Sequence, residues 1–409
     1  MKKLLIIGYV WPEPQTTGAG VRMMQLINLF LKNDFEITFV SAAEKSIYSE
    51  DLNTLGVVEN KIKLNDSSFD TFLEEVNPDL VLFDRFYTEE QFGWRVSEVF
   101  PKAARILDTE DLHFLRNARQ NSLTQEKEIY FLESDMAKRE IASMYRSDIS
   151  LIISEEEVEL LKNRFKIDSS ILHYLPFLLE NNSKVIENLP SFEERNHFIF
   201  LGNYKHPPNA DAVLELKNTI WPLLSKQLPE AELHCYGAYA SEHLKQLHKP
   251  AERFFFHGWI EDANAKIANA KVMLAPLRFG AGLKGKLLQG MQCGTPSITN
   301  SLGAEGIAGT LPWGGYIEDY TKGFVEKATQ LYKDKSMWET CRQNGFYILE
   351  QRFSPANFEE SFFAKINSVS QIIETHRQNN FIGSLLAHHS LQSTKYLSKW
   401  IEEKNRTLK

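Results

Sequence analysis

The sequence predicts an α/β protein made of two doubly wound parallel sheets. Three observations lead to this expectation: short apolar runs alternate with helical patterns, a polar stretch interrupts them, and the same alternation then starts again. Runs that are apolar throughout are typical of strands buried on both faces, as in a parallel sheet covered by helices. A length of 409 residues suits two or three domains better than a single core.

The predicted strands fall into two groups. Those of the first half are Lys3–Tyr9, Glu36–Ala42, Asp79–Asp84, Ala104–Asp108 and Ser150–Ser154. Those of the second half are His197–Asn203, Ala231–Gly237, Arg253–Gly258, Lys271–Leu277 and Pro296–Asn300. We therefore expect two Rossmann-like domains, at residues 1–185 and 186–375, and a helical extension at 376–409. Because ligands of such sheets bind at the carboxyl ends of the strands, the cleft between the domains is the expected site.

Composition narrows the class of protein. A hydrophobic fraction of 43% with 24% charged residues is ordinary for a globular protein, and a net charge of -8 argues against nucleic acid as a partner. The N-terminal "MKKLLIIGYVWPEP" is too short in its apolar part for a signal peptide and has no small-residue cleavage site, so a buried strand is expected. Three cysteines without metal-ligand spacing suit a reducing cytoplasm.

The C-terminal extension shows an amphipathic, partly basic helical pattern. Its apolar positions are Phe381, Leu385, Leu386, Leu391, Leu397 and Trp400. Two interpretations stay open: the apolar face packs on the body of the protein, or it contacts a membrane surface or a partner. The second would add a peripheral location at the inner face of the membrane to the expected cytoplasmic one.

The segment "FGAGLKGKLLQGMQCGTPSITNSLGAEGI" joins a glycine-rich loop to a helix predicted from Gly282 to Cys293. Lys284 in the first turn would lie beside free helix amides, which attract an anion together with the helix dipole. Gly280 and Gly282 would let the backbone approach that anion closely. Lys286 and Gln289, one turn apart, would face outward together. The pattern favours a phosphate site followed by a ribose contact; an ordinary loop with solvated lysines is the alternative.

This segment resembles the donor-binding segment of glycosyltransferase family 4, in the variant with a glycine-rich loop. "FLGNYKHPPNADAV" is similar to the opening of the family's second domain, and "HGWIEDANAKIANAKVMLAPLRFGAGLKGK" follows in the expected order. In the first half, "GYVWPEPQTTGAGVRM" and "ILDTEDLHFLR" are similar to loops found in the family. The resemblance covers roughly residues 1 to 375 and implies a GT-B architecture with a nucleotide-sugar donor held by the second domain.

The resemblance also implies residue roles. Lys286 would neutralise the diphosphate, with Lys205 as a second cation; Arg278 and the glycines after it would line the sugar phosphate, and Glu305 would lie in the loop beside it. Gly18 and Gly20 precede a helix expected to start near Val21 and would face the diphosphate from the first domain, with a plain turn as the alternative. On the acceptor side, Asp111 and His113 are the candidate catalytic residues beside Lys286. The family's sugar-contacting histidine could correspond to Glu110, Asp111 or His113, and a helix-capping His113 is equally compatible. Asp84, Arg85 and Tyr87 are candidates for the acceptor pocket.

Three positions depart from the family pattern. Gln289 stands where most members have a glutamate for the ribose hydroxyls, Ala281 where many have an acid, and Asn203 where an arginine is common. Glutamine can still accept one hydrogen bond but loses the strength that a charge provides. These departures motivate an alternative function, which is that of a catalytically impaired partner or stabiliser of another transferase.

The leading expectation is a retaining, metal-independent glycosyltransferase that needs no cofactor. It would move a sugar from a nucleotide-sugar donor to a hydroxyl of a glycan or lipid-linked acceptor. Fixed cations would stabilise the charge that develops on the leaving nucleoside diphosphate. A nucleotide-sugar epimerase on the same architecture is a weaker third interpretation, because its paired acids have no convincing positions.

Overall fold

A computed structural model describes residues 2–123, 132–180 and 183–407, with the side chains of residues 185 and 389–391 outside the description. It contains two parallel sheets, which confirms the predicted fold class. The first sheet has the order β3-β2-β1-β4-β5-β6-β7 and the second the order β10-β9-β8-β11-β12-β13. In both orders the chain starts in the middle and winds outward to each edge, as in doubly wound folds.

The first sheet and the helices that cover it account for the first part of the chain. Its strands are β1 (Lys2–Gly8), β2 (Phe35–Ser41), β3 (Val58–Lys61), β4 (Leu80–Asp84), β5 (Ala104–Asp108), β6 (Ile149–Ile152) and β7 (Leu172–Tyr174). The helices are α1 (Gly18–Lys32), α2 (Ser68–Val76), α3 (Arg85–Val99), α4 (His113–Ser122), α5 (Asp135–Arg146) and α6 (Glu155–Asn163), and the short α7 (Ser183–Glu187) follows in the connection. Strands β4, β5 and β6 are buried along their whole length, as their apolar sequences predict.

The second sheet is built in the same way. Its strands are β8 (Asn196–Leu201), β9 (Leu233–Tyr236), β10 (Phe254–Gly258), β11 (Ala270–Ala275), β12 (Ser297–Thr299) and β13 (Gly315–Ile317). The helices are α8 (Pro207–Glu215), α9 (Trp221–Gln227), α10 (Glu242–Lys245), α11 (Ala263–Asn269), α12 (Gly285–Gln292), α13 (Ser301–Ala304), α14 (Thr321–Lys333) and α15 (Lys335–Phe353). A π-helical turn, Leu216–Ile220, joins α8 to α9.

The C-terminal helices return to the first sheet. They are α16 (Glu359–Gln371), α17 (Ile373–Asn379) and α18 (Phe381–Thr407). Phe362 of α16 packs edge-on against Phe30 of α1, with ring centroids 5.6 Å apart, and belongs to the core of the first sheet. Helix α16 therefore completes the first domain, although its chain position lies within the 186–375 range expected for the second.

The helix boundaries differ from the expected ones at both glycine segments. Helix α1 begins at Gly18 rather than near Val21, because the Thr17 hydroxyl accepts a hydrogen bond of 2.8 Å from the Gly20 amide and caps the helix. Helix α12 begins at Gly285, three residues later than expected, because Gly282 has a left-handed backbone with φ of 60°. Lys284 therefore stands at the N-cap position of α12 and not in its first turn.

Helix α18 confirms the helical pattern of the extension. Within the described ranges, no helix is both long enough and apolar enough to cross a membrane. Four of the six apolar positions named for this helix, Phe381, Leu385, Leu397 and Trp400, are 43% to 70% exposed and do not pack on the body as the first interpretation expected. Leu386 is half-buried, and the side chain of Leu391 lies outside the described ones.

Candidate functional site

The glycine-rich loop after β11 lies directly against the first domain. A methyl group at position 282 would come within 2.8 Å of Asp111 Cβ and 3.3 Å of Ile153 Cγ2, both from the first domain. Gly282 also has the left-handed backbone noted above. Glycine is required there for both reasons, since any side chain would be strained and would separate the domains. This contact brings the predicted donor loop to the predicted acceptor side.

Lys286 lies in the first turn of α12 and points toward the strand and helix that open the second domain. Its ammonium group donates a hydrogen bond to the Asn209 side chain and lies 4.7 Å from the centre of the Phe200 ring. Burial, reinforced by the positive charge of Lys284, lowers the pKa of Lys286 to about 7. A lysine whose charge is this poorly solvated gains strongly from an incoming anion.

The Lys284 side chain folds back onto the glycine-rich loop and does not extend into solvent. Its ammonium donates to the Gly282 carbonyl at 2.8 Å and lies 3.7 Å from Glu305. Glu305 in turn accepts two hydrogen bonds, of 2.7 and 2.8 Å, from Arg119 of the first domain, which also donates to the Gly280 carbonyl at 2.9 Å. Because the Lys284 side chain makes no capping bond, the N-terminus of α12 has no side-chain cap.

A first-domain carboxylate is bound to the same loop. Glu157 of α6 accepts hydrogen bonds from the Gly282 amide at 2.7 Å and from the Leu112 amide at 3.2 Å. Burial, followed by the negative charge of Asp111, raises the pKa of Glu157 to about 7. Its second oxygen is buried and makes no hydrogen bond within the described residues. The loop is thus fixed to the first domain by a group that titrates near neutral pH.

Asp111 and His113 lie together in the loop between β5 and α4 and in the first turn of α4. Asp111 pairs with Arg116 and lies 3.4 Å from His113 Nε2. Although burial opposes it, Arg116 and His113 hold the pKa of Asp111 well below its usual range. Burial lowers the pKa of His113 to about 3, so its ring is neutral near pH 7. The His113 ring also packs on Tyr87, with centroids 5.5 Å apart.

His113 does not cap α4 with its ring. The amides of His113 and Phe114 donate to the Glu140 carboxylate at 3.1 and 2.9 Å, so Glu140 satisfies the start of this helix. The helix-capping interpretation of His113 therefore does not describe this arrangement, in which the imidazole contacts Asp111 and Tyr87 instead.

His206 extends this group from the second domain. It stands at the N-cap of α8, before two prolines, and burial lowers its pKa to about 4. The charges of Arg116 and Asp111 in the first domain and of Lys286 in α12 also act on its pKa.

The carboxyl ends of β4 and β5 form the floor of the first domain's side of the cleft. Arg85 and Glu110 have left-handed backbones, with φ of 70° and 64°, which is strained for residues with side chains. One oxygen each of Asp84 and Glu110 is buried without a hydrogen bond among the described residues. Tyr9 packs on Tyr87, with ring centroids 5.4 Å apart, and Arg85 lies over the Tyr9 ring. Such strain and unmet hydrogen bonding are typical of binding surfaces.

Helix α1 supports this floor through a buried ion pair. Arg22 makes hydrogen bonds of 2.7 to 3.0 Å to Asp108 and one of 2.8 Å to the Leu175 carbonyl, and it is 1% exposed. The charge of Arg22 is therefore balanced inside the first domain. Gly18 and Gly20 lie in the first turn of α1; at Gly20 the Glu13 backbone leaves no room for a side chain.

Lys205 lies at a rim of the cleft formed with Glu13 and Tyr239. The Tyr239 hydroxyl donates to the Glu13 carboxylate at 2.9 Å across the two domains, and the Lys205 ammonium lies 3.6 Å from the centre of the Tyr239 ring. Lys205 and Lys286 thus have different surroundings. The structure does not place Lys205 among the partners of Lys286.

The remaining donor candidates are held by neighbours in the second domain. The Arg278 guanidinium makes an ion pair with Asp211, with one bond of 2.9 Å, so its charge is already balanced. The Gln289 amide nitrogen donates to the Asn264 side chain at 2.8 Å. With the nitrogen engaged, the amide oxygen is the atom that Gln289 offers to a ligand.

The structure therefore brings together candidates from both halves of the chain. Around the glycine loop these are Asp111, His113, Gly280, Gly282, Lys284, Lys286 and Glu305. Sequence reasoning missed Arg116, Arg119 and Glu157, which lie on helices where charged side chains are normally solvated. Among the described residues, no group of three or more His, Cys, Asp or Glu side chains is arranged to hold a metal ion.

Part of the second domain matches a known protein family by sequence. Residues 195–334 match the family model described as glycosyl transferases group 1, and this range contains the glycine loop and α12. A search of curated proteins found no match.

Solved structures share the architecture of the whole chain. Sucrose-phosphate synthase from Thermosynechococcus elongatus has 14% identity and a TM-score of 0.66, and the alignment covers 90% of this chain and 99% of that one. TarM of S. aureus, in complex with fondaparinux, alpha-GlcNAc-glycerol and UDP, has 9% identity, a TM-score of 0.68 and coverages of 90% and 100%. HepE of Anabaena, in complex with UDP, has 12% identity, a TM-score of 0.65 and coverages of 90% and 100%. The chain thus has the two-domain GT-B fold of these proteins, and its second domain carries the sequence signature of group 1 glycosyltransferases.

Proposed function

We propose that the protein is a glycosyltransferase of family 4, in its glycine-loop form, that transfers a sugar from a nucleotide-sugar donor. The observation that carries the proposal is the position of Lys286, in the first turn of α12, poorly solvated and beside a loop that touches Asp111. A diphosphate placed there would meet a lysine and an N-terminus without a side-chain cap. The match of residues 195–334 to a group 1 glycosyltransferase model supports this assignment.

In this proposal each side chain has a defined role. Lys286 stabilises the charge that grows on the leaving diphosphate, and Gln289 accepts a hydrogen bond from the ribose through its amide oxygen. Lys284 and Glu305 hold the loop in shape. Asp111 and the neutral imidazole of His113 orient the transferred sugar and the acceptor hydroxyl. The acceptor is a glycan or lipid-linked hydroxyl that enters over the floor formed by Tyr9, Arg85 and Glu110.

The finer features of the reaction are part of the same proposal. Transfer proceeds with retention of the anomeric configuration, without a cofactor and without a divalent ion, because fixed cations supply the charge stabilisation. Proton NMR of the first sugar released from a nucleotide-sugar tests retention, and rates measured with and without EDTA test the metal requirement. We place the domain boundary at residues 185–186 and the protein in the cytoplasm, consistent with three buried free thiols.

Lys286→Ala is the direct test of the function. Hydrolysis of a nucleotide-sugar and calorimetric binding of UDP, GDP, dTDP and CMP are measured for the wild type and the variant. We expect at least one nucleotide to bind the wild type, and its affinity to fall about 100-fold in Lys286→Ala, as expected for a lost charge-assisted bond. Lys322→Ala, on a side chain that is 90% exposed in the same domain, is the matched control. Unchanged turnover in Lys286→Ala would refute the assigned role.

The alternative function is that of a catalytically impaired partner of another transferase. The engagement of Gln289 by Asn264 favours it, since the side chain that should meet the ribose is partly occupied. Gln289→Glu separates the two functions. If Gln289→Glu binds nucleotide more tightly than the wild type, the natural site is degraded. If it binds more weakly, glutamine suits a working site. A wild-type protein that binds none of the four nucleotides supports the partner role.

A further inference from the structure

Helix α18 presents large apolar side chains to solvent in two groups, at residues 381–385 and 396–400. Six large side chains of this surface are 43% to 70% exposed, and we call them the outer stripe: Phe381, Ile382, Leu385, Tyr396, Leu397 and Trp400. Within each group the residues are one, three or four positions apart, and the two groups are eleven positions apart, about three helical turns, so all six lie on one side of the helix. The two groups together expose apolar area on the order of a few hundred Å², comparable with the largest patch on a typical soluble monomer.

The inner side of α18 explains why the outer stripe is not buried. The helix is attached to the first domain by polar contacts: Lys395 pairs with Glu98, and Glu402 accepts from the Ser67 amide at 3.2 Å. Near its start, Gly383 packs against the Tyr145 carbonyl with no room for a side chain. Polar contacts thus attach the helix to the protein, while the outer stripe faces outward, unlike in an ordinary surface helix.

The charges beside the outer stripe favour one kind of partner. Lys399, Lys404 and Arg406 are exposed there, and the Lys404 ammonium lies 5.3 Å from the centre of the Trp400 ring. Arg406 lies 3.6 Å from both Glu402 and Glu403, so its charge is balanced within the helix. Among the described residues, Lys399 and Lys404 are the cations of the last turns that take part in no ion pair, in a chain whose net charge is -8. Aromatic and aliphatic side chains flanked by lysines suit the interface of an anionic bilayer.

We propose that the outer stripe of α18 docks the protein on an anionic lipid surface, with the helix lying in the plane of the interface. Apolar side chains enter the boundary between headgroups and acyl chains, and the flanking cations meet the headgroup charge. Docking through α18 holds the first domain, which carries the expected acceptor side, next to the membrane. This inference concerns a surface outside the cleft and does not depend on the nucleotide-sugar activity.

Vesicle sedimentation of the full chain tests the proposal. We expect partition onto vesicles of phosphatidylcholine with phosphatidylglycerol, weaker partition onto phosphatidylcholine alone, and release by high salt. The double variant Leu385→Ser/Trp400→Ser should bind at least about 10-fold more weakly, because two large apolar side chains no longer enter the interface. Lys399→Glu/Lys404→Glu should remove the preference for the anionic vesicles. Ile47→Ser/Tyr320→Ser, at side chains that are 90% and 81% exposed elsewhere, should change nothing.

Three results would overturn the proposal. The first is no partition onto anionic vesicles, and the second is equal partition of the wild type and Leu385→Ser/Trp400→Ser. The third is a dimer by light scattering that this double variant converts to a monomer, which would assign the outer stripe to a second copy of the chain. Nucleotide titration of the same samples reports separately on the cleft, so a failure here is distinguishable from a failure of the proposed function.

Discussion

The Glu157 carboxylate accepts a hydrogen bond of 2.7 Å from the Gly282 amide, across the boundary between the two domains. The donor loop of the second domain is therefore held by a group of the first domain, one that is buried and has a pKa of about 7. Arg119 makes a parallel connection to Gly280 and Glu305. Because these bonds end on the loop itself, domain closure and the shape of the donor site depend on each other.

Nucleotide binding should consume a proton above pH 7. The free protein has Lys286 with a pKa of about 7, and a bound diphosphate favours the charged form and raises that pKa. Nucleotide binding then takes up close to one proton at about pH 8.5 and almost none at about pH 5.5. As a result, the affinity for the nucleotide falls up to about tenfold per pH unit above pH 7. Calorimetry in buffers of different ionisation enthalpy measures the uptake.

Lys286→Met provides the control for this proton. The variant cannot take up a proton at position 286. It should bind nucleotide more weakly, and its affinity should change little with pH. Lys322→Met, at an exposed side chain, should behave as the wild type. Equal proton uptake in the wild type and Lys286→Met would show that another group is responsible.

The contribution of Glu157 to the free energy of unfolding should fall as pH rises. Its pKa of about 7 in the folded protein exceeds the usual 4.5, so between these values the folded state binds more protons than the unfolded state. The stability it provides is present below pH 4.5 and is lost as pH rises through 7. Glu157→Gln keeps an oxygen for the Gly282 and Leu112 amides without a charge, so it should gain about 1–2 kcal/mol relative to the wild type between pH 5.5 and 8.

Urea unfolding at both pH values measures this difference. Glu157→Ala is the comparison, because it leaves the amides of Gly282 and Leu112 without a partner and should destabilise at either pH, by about 1–3 kcal/mol. A Glu157→Gln protein with the same pH profile as the wild type would contradict the assigned burial of this charge.

Most of the fold could be predicted from the sequence because the central strands are apolar throughout. The three strands that were not predicted, β3, β7 and β13, lie at sheet edges or are only three or four residues long. Strand β3 has the sequence "VENK" and is largely exposed, so neither the spacing of its apolar residues nor its composition distinguishes it from a loop. A strand of this kind forms because its neighbour offers a hydrogen-bonding edge, which is not a local property.

On the second domain's side of the cleft, the sequence was enough to group the candidate site residues. Lys286 and Gln289 share a helix face and follow a glycine loop, a relationship that lies within ten residues of sequence. Arg119 and Glu157 reach the same loop from positions more than a hundred residues earlier, on helices where a charged residue normally faces water. For α18, the sequence pattern predicted a helix but not which side of it faces the first domain. That side is decided by contacts with residues far away in the sequence, such as Glu98 and Ser67.

Gly282→Ala should separate the effect of backbone strain from that of domain contact. Gly56 also has a positive φ, of 80°, but a methyl group there would meet nothing within 4 Å. Gly56→Ala should therefore lower the free energy of unfolding only by the backbone strain, about 1 kcal/mol. At Gly282 the added methyl also meets Asp111, so we expect a larger loss, of about 2–4 kcal/mol, together with weaker nucleotide binding. Equal losses at the two positions in urea unfolding would mean that the domains are not in contact here.

Arg119→Ala should loosen the closed arrangement of the domains. The guanidinium makes hydrogen bonds of 2.7 and 2.8 Å to Glu305 and one of 2.9 Å to the Gly280 carbonyl, all across the cleft. Their loss should weaken nucleotide binding about 10-fold and raise the radius of gyration in small-angle scattering. Arg139→Ala removes a similar pair, with Glu90, inside the first domain, and should leave both measurements unchanged. If the two variants behave alike, the contact made by Arg119 is not what holds the domains closed.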